Sequence, residues 1–200
     1  MDEQLPDRST ADGRTPDSIA PDAGTPAPPP ADPDTKDWTW VLDRPCPECG
    51  FVAADVAVTA IAPALLASAA RWRAALARSD VRVRPAPGTW SVLEYACHVR
   101  DVHRIFGERL ALILDEDDPA FANWDQDAAA VSGRYDAQDP AVVAEALVAA
   151  AEATAARFAA VKADQWDRQG RRSNGSVFTA RTLGQYYLHD VAHHTHDVGA

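Results

Sequence analysis

All six histidines of the chain fall in two short stretches: His98 and His103 in one, and His189, His193, His194 and His196 in the other. Neutral imidazole is the commonest protein ligand for metals. His189 and His193 are four residues apart, a spacing that on a helix puts both on one face, about 6 Å apart and within reach of one ion. A third ligand must come from another element. His98 is the best placed, in the run WSVLEYACHVRD over residues 90–101. His103 lies five residues on and points well away from it. His194 is rotated about 100° from His193 and is a poor partner for His189, whereas His196 shares that face but sits nearer the chain end. Three imidazoles on a divalent cation leave an open coordination position, the arrangement of a catalytic site. The bland alternative is a set of helix-surface or core-edge histidines in ordinary hydrogen bonds.

Other side chains near these positions have two readings each. Asp101 and Asp190 are candidate acceptors that orient ligand imidazoles, or solvated helix carboxylates. Glu94, one turn before His98, is a candidate proton acceptor, and a helix-capping role explains it equally well. Tyr95 and Tyr186 either line a pocket or fill the core. Arg100, Arg104, Arg171 and Arg172 either bind an anionic cosubstrate or face solvent. Cys46 and Cys49 form a single C-x-x-C in CPECG. A complete zinc knuckle needs four ligands and there is no second cysteine pair, so the readings are a structural or incidental pair, a metal half-site, or a redox pair. Cys97 neighbours His98 but points about 100° away, which suits core packing.

The elements that must position these groups are helical. Apolar residues make up 46% of the chain, alanine is over-used, and no strand alternation competes with helical spacing. A first helix is expected over about 58–78, with Ile61, Leu65, Leu66, Trp72 and Leu76 on its apolar side. Ser91 and Glu94 stand in the S-x-x-E spacing of a capping box and open a second helix that runs to about Leu114. Asp139 as cap and Pro140 in the first turn open a third, ending near Asp164. Residues 166–178 are expected as a loop with an Asn174-Gly175 turn. Thr179 caps a last helix reaching Asp197. The sum is an all-α four-helix bundle over residues 58–198. Residues 37–57 form an irregular aromatic lead-in that contains the cysteine pair. Residues 1–36 hold 8 of the 15 prolines and almost no large apolar side chain, the composition of a disordered tail.

The formal charge of −11 leaves no basic stripe to neutralise phosphates, which argues against a nucleic-acid partner. The most apolar stretch, residues 52–70, is interrupted by Asp55 and Pro63 and reads as a core helix, so no membrane partner is expected. The acidic, polar start MDEQLPDRST lacks a secretory-signal pattern, and the expected compartment is the cytoplasm.

The motifs WSVLEYACHVRD and YYLHDVAHH together resemble the DinB-like family of metal-dependent bundle proteins, over about residues 55–198. The resemblance implies an up-down-down-up four-helix bundle in which His98, His189 and His193 bind a divalent metal. Zinc suits such ligands best, and nickel or iron also fit. The superfamily includes thiol S-transferases that use bacillithiol or mycothiol. By resemblance, then, the expectation is a metal-dependent thiol S-transferase acting on small electrophiles, with mycothiol as cosubstrate in keeping with an Ala-, Arg- and Asp-rich, Lys-poor composition. Glu94 and Asp101 are its candidate catalytic carboxylates. A metal-dependent hydrolase and a non-catalytic metal-binding or interaction bundle are the alternatives. Relatives often pair as homodimers, although no distinct interface is visible in this sequence.

Overall fold

The computed structural model describes residues 28–33 and 36–200. Apart from residues 28–33 and 36, the tail expected to be disordered lies outside the described residues. Residues 28–33 lie against the loop before the second helix. The Asp32 amide donates to the Gly88 carbonyl at 3.0 Å, and Arg84 Nη1 donates to the Pro29 carbonyl at 2.7 Å.

In chain order the helices are α1 (Val58–Leu76), α2 (Val92–Asp115), α3 (Gln126–Ser132), α4 (Pro140–Ala159) and α5 (Ala180–Asp197). Three short strands, β1 (Ala120–Phe121), β2 (Gln169–Arg172) and β3 (Val177–Thr179), complete the regular structure. The four long helices form the bundle. α4 packs between α1 and α2 on one side and α5 between the same two on the other, so α1 and α2 lie diagonally across the core. The expected caps are present. Ser91 Oγ accepts from the Glu94 amide while Glu94 returns to the Ser91 amide, Asp139 accepts from the amides of Ala141 and Val142, and Thr179 accepts from Thr182. Each satisfies amides that a helix start leaves without intrahelical partners.

Ile61, Leu65, Trp72 and Leu76 of α1, Leu93, Val102, Phe106 and Leu110 of α2, Val143, Leu147 and Phe158 of α4, and Leu183, Tyr187 and Val191 of α5 are all buried in one core. Leu66 is 45% exposed and does not join them. α5 approaches its neighbours closely at Gly184, where a β-carbon would stand 2.6 Å from Ile61 Cδ1 and 2.8 Å from Phe158 Cε1.

Two features depart from the sequence-based expectation. The connection after α2 contains the short helix α3, capped by the Asp125 carboxylate on the Ala128 amide. The segment expected as a loop over 166–178 is a β-hairpin. β2 and β3 pair antiparallel, with Gly170 opposite Phe178, and β1 joins β2 in parallel. Both are too short to show a hydrophobic period, and the Asn174-Gly175 turn is the one local signal of the hairpin.

His103 sits in the core, fully buried, with Nδ1 against the Tyr187 hydroxyl and its backbone carbonyl accepting from Thr154 Oγ1 at 2.7 Å. Burial pulls its pKa down to about 4, with Asp190 working in the opposite direction. The folded protein therefore resists protonating a side chain that the unfolded chain protonates near pH 6.5. Stability is complete above that value and falls as pH drops from 6.5 towards 4. At pH 5 the loss traceable to His103 is about 2 kcal/mol. Urea unfolding at pH 7 and pH 5 should show His103→Gln losing less on acidification than the wild type by about that amount.

Candidate metal centre

Helix α5 carries two donor pairs at i,i+4 spacing, offset by one residue: His189 with His193, and Asp190 with His194. One residue is about 100° around a helix, so the pairs address different neighbours. The structure gathers each pair into its own cluster.

The first cluster joins Asp190 and His194 to His98 of α2, their donor atoms all within 4.8 Å of one another. His98 Nε2 stands 3.5 Å from Asp190 Oδ1, and His194 Nε2 stands 3.9 Å from the same oxygen. Two donors each bound at 2.0–2.2 Å to one tetrahedral cation would be about 3.4 Å apart. The observed spacing needs only a slight contraction to meet that. His194 Nδ1 lies 2.9 Å from Asp197 Oδ2, a contact that fixes the ring and leaves Nε2 turned to Asp190. Both ring nitrogens of His98 and Asp190 Oδ1 are buried without a hydrogen-bond partner. Buried polar atoms are costly unless bonded, and a cation held by one His98 nitrogen, Asp190 and His194 would supply a missing partner. His98 is sheathed by Trp124, stacked at 5.2 Å and 16°, and by Trp90 at 5.4 Å. Burial, outweighing the nearby Asp190, lowers the His98 pKa and keeps the imidazole in its ligand form. Burial works to raise Asp190, but His98, His194 and His189 around it hold its carboxyl at about 2.

Asp190 also lines a cavity of about 500 Å³ together with Val102, Phe106, Arg109, Arg172 and Tyr186. Arg109 is buried and donates from Nη2 to the Ala122 carbonyl at 3.0 Å. Burial, reinforced by the charge of Arg172, pushes its pKa down to about 10, so it remains cationic at neutral pH. Arg172 is held by Asn174 Oδ1 at 2.9 Å and Ser176 Oγ at 3.1 Å. Burial raises Tyr186, whose hydroxyl keeps its proton. The lining is mixed in charge, since Asp37, Asp125 and Asp127 also contribute to it, and the two guanidinium groups with the retained hydroxyl are its donors towards an anionic group.

The second cluster joins His189 and His193 to Cys46 and Cys49 of the lead-in segment, again with every donor atom within 4.8 Å of the others. Cys46 Sγ lies 3.7 Å from His193 Nδ1. The other nitrogen of His193 faces Glu48 Oε2 at 3.4 Å and Asp197 Oδ1 at 3.8 Å. Burial, then the neighbouring His193, pulls His189 down to about 4, and burial pushes the Cys49 thiol up to about 11.

The ligand set expected from sequence, His98 with His189 and His193, is therefore divided: His98 belongs to one cluster and the other two to the second. The reason is rotational. The face of α5 that meets α2 is the Asp190/His194 face, while the His189/His193 face meets the lead-in segment. The signal was present as D-x-x-x-H, with the same i,i+4 spacing as H-x-x-x-H. Spacing alone does not choose between the two pairs. Glu94 and Asp101 belong to neither cluster. Glu94 binds Ser91 and pairs with Arg84, and Asp101 binds Arg100 at 2.9 Å, Arg104 at 3.1 Å and the Tyr135 hydroxyl at 2.5 Å. Burial would raise both carboxyls, but these partners hold them below the usual range. Arg109 was not singled out in the sequence; as one arginine among many it has no distinguishing neighbour pattern.

Among the described residues no helix is long and apolar enough to cross a membrane. A family model described as the DinB superfamily matches residues 74–198. No curated protein matches the sequence. Among solved structures, YfiT from Bacillus subtilis superposes with a TM-score of 0.62 at 22% identity, covering 70% of this chain and 82% of its own. It is described as "a probable metal-dependent hydrolase with an unusual four-helix bundle topology". At that identity the likeness concerns the fold.

Proposed function

The chain belongs to the DinB superfamily, and from that premise we propose that it is a metal-dependent enzyme: His98, Asp190 and His194 hold one divalent cation, and a thiol is transferred to a small electrophile in the adjoining cavity. The observation that supports this most strongly is the convergence of His98, whose ring nitrogens are buried without a hydrogen-bond partner, with Asp190 and His194 beside a cavity of about 500 Å³ that shares Asp190. Two imidazoles and one carboxylate leave coordination positions for reactants.

A bound divalent cation favours a thiolate over its thiol at neutral pH and polarises an electrophile. His98 stays neutral and fixed by its two tryptophan neighbours, which also exclude water from that side of the cluster. Arg109 and Arg172 hold the anionic part of a substrate, and Tyr186 donates its hydroxyl hydrogen. Zinc fits the donor set, with nickel or iron as alternatives by ligand type. Mycothiol is the proposed cosubstrate, from the family resemblance and the composition of the chain.

A second reading, hydrolysis by an activated water, is favoured by the description of YfiT and by a donor set of the kind used in zinc peptidases. One assay separates the two. Zinc-loaded protein is given an electrophilic reporter with and without mycothiol, and an ester or amide reporter without thiol. Thiol-dependent consumption of the electrophile, at least tenfold above the metal-free protein, is the expected result. Thiol-independent cleavage of the ester or amide would instead assign the hydrolase, and the absence of both in fully loaded protein would refute the enzyme.

A further inference from the structure

The four side chains Cys46, Cys49, His189 and His193 take no part in that proposal, and we propose that they form a separate, structural zinc site that fastens the lead-in segment to α5. This goes beyond the proposed function and stands or falls independently of it. A C-x-x-C paired with an H-x-x-x-H is the ligand spacing of Cys2His2 zinc sites. Here the second pair comes from the far end of the chain rather than from the next turn.

The geometry agrees with the ligand formula. A sulfur at 2.3 Å and a nitrogen at about 2.05 Å from one tetrahedral zinc stand about 3.6 Å apart, and Cys46 Sγ is 3.7 Å from His193 Nδ1. The cysteine loop is already folded as a ligand loop. The Cys46 amide donates to the Phe51 carbonyl and the Gly50 amide to the Cys46 carbonyl, each at 2.9 Å. Gly50 takes φ +75°, a conformation that other residues adopt only with strain. His193 turns one nitrogen to the cysteines and the other to Glu48 and Asp197, the outer carboxylate contact typical of metal-bound imidazoles. His189 Nε2 is buried and has no hydrogen-bond partner. The rings of Trp38 and Phe51 close over His189 at 5.6 and 5.4 Å, and Trp38 lies 5.0 Å from His193. Four protein donors under an aromatic cover leave no open position, the mark of a structural site, and thiolate with imidazole selects zinc.

The consequence lies in the fold. Gln185 already ties α5 to the lead-in through the carbonyls of Ala53 and Val56, at 2.9 and 3.2 Å. Zinc at the second cluster would pin the same segment one and two turns further along α5. Trp38, held in this way, also lines the cavity beside Asp190.

Cobalt substitution tests the proposal, because sulfur-to-cobalt charge-transfer absorption reports thiolate ligands and the first cluster has none. Wild-type protein stripped of metal and titrated with Co²⁺ is expected to show that absorption with tetrahedral visible bands, saturating at one equivalent per chain for this site. Zn²⁺ should displace it. The double variant Cys46→Ser/Cys49→Ser is expected to lose the absorption while still taking up cobalt at the first cluster. Should that variant fail to fold, the wild-type spectrum is sufficient. Two results would overturn the proposal: a wild-type cobalt spectrum without sulfur charge transfer, or Cys46 and Cys49 recovered as a disulfide in protein saturated with zinc.

Discussion

Replacing Asp190 by alanine is expected to weaken metal binding at the first cluster by at least about a hundredfold, a larger loss than that usually seen when an outer hydrogen-bond partner is removed. Turnover should fall with it, while the helical circular dichroism is unchanged. Asp190 is the only anionic donor of that cluster, and its oxygen is the point shared by His98 and His194. Without it, two imidazoles remain on separate helices with nothing to neutralise a divalent charge. His189→Ala is the informative comparison, since it carries the same loss of one donor on the same helix one residue away. The structure predicts that this variant keeps the first-cluster metal and the turnover. Calorimetric titration of Zn²⁺ into both variants, each in the Cys46→Ser/Cys49→Ser background, reads the first cluster alone. Equal loss in the two would mean that α5 presents one shared site.

Glu94→Ala is expected to destabilise the protein by about 3 kcal/mol, and by more if residues 28–33 loosen. The carboxylate accepts from the Ser91 amide at 2.9 Å and the Ser91 hydroxyl at 2.7 Å, and it pairs with both Nε and Nη2 of Arg84. Arg84 and Glu94 keep only 15% and 5% of their side chains exposed, so removing the anion leaves a guanidinium partly buried without its counter-ion. The same guanidinium holds the carbonyls of Pro29 and Pro87, which links the cap of α2 to residues 28–33. Glu94→Gln keeps an acceptor at the third helical position and should lose less than the alanine variant. Equilibrium urea unfolding supplies the stabilities, and zinc titration of the glutamine variant supplies the control. Normal metal binding and turnover in a destabilised protein identify Glu94 as a capping and pairing residue. Undiminished stability with lost turnover would restore the catalytic role that its position one turn before His98 suggests.

Much of this fold was legible because its information is local. The S-x-x-E box, Asp139-Pro140 and Thr179 each mark a helix start with its own backbone chemistry, and the apolar residues of α1, α2, α4 and α5 recur at helical spacing over many turns. The hairpin and α3 were not legible, since strands of three or four residues and a helix of seven carry too few side chains to display a period. The clusters were half legible. That histidines of α2 and α5 gather near one another followed from their spacing. Which face of α5 meets α2 did not, because His189/His193 and Asp190/His194 share the same i,i+4 spacing and both flank the apolar positions. Cys46 and Cys49 are half of a four-donor set in sequence, and the structure brings them beside His189 and His193, which lie near the other end of the chain.

The most direct measurement is the cobalt stoichiometry of wild-type and His98→Ala protein, read at saturation by metal analysis and by the sulfur charge-transfer absorption. Two separate clusters predict two equivalents in the wild type and one in His98→Ala, with the sulfur absorption unaltered by the substitution. One equivalent in the wild type, with the sulfur absorption lost when His98 is removed, would contradict the division and return all of these ligands to a single centre.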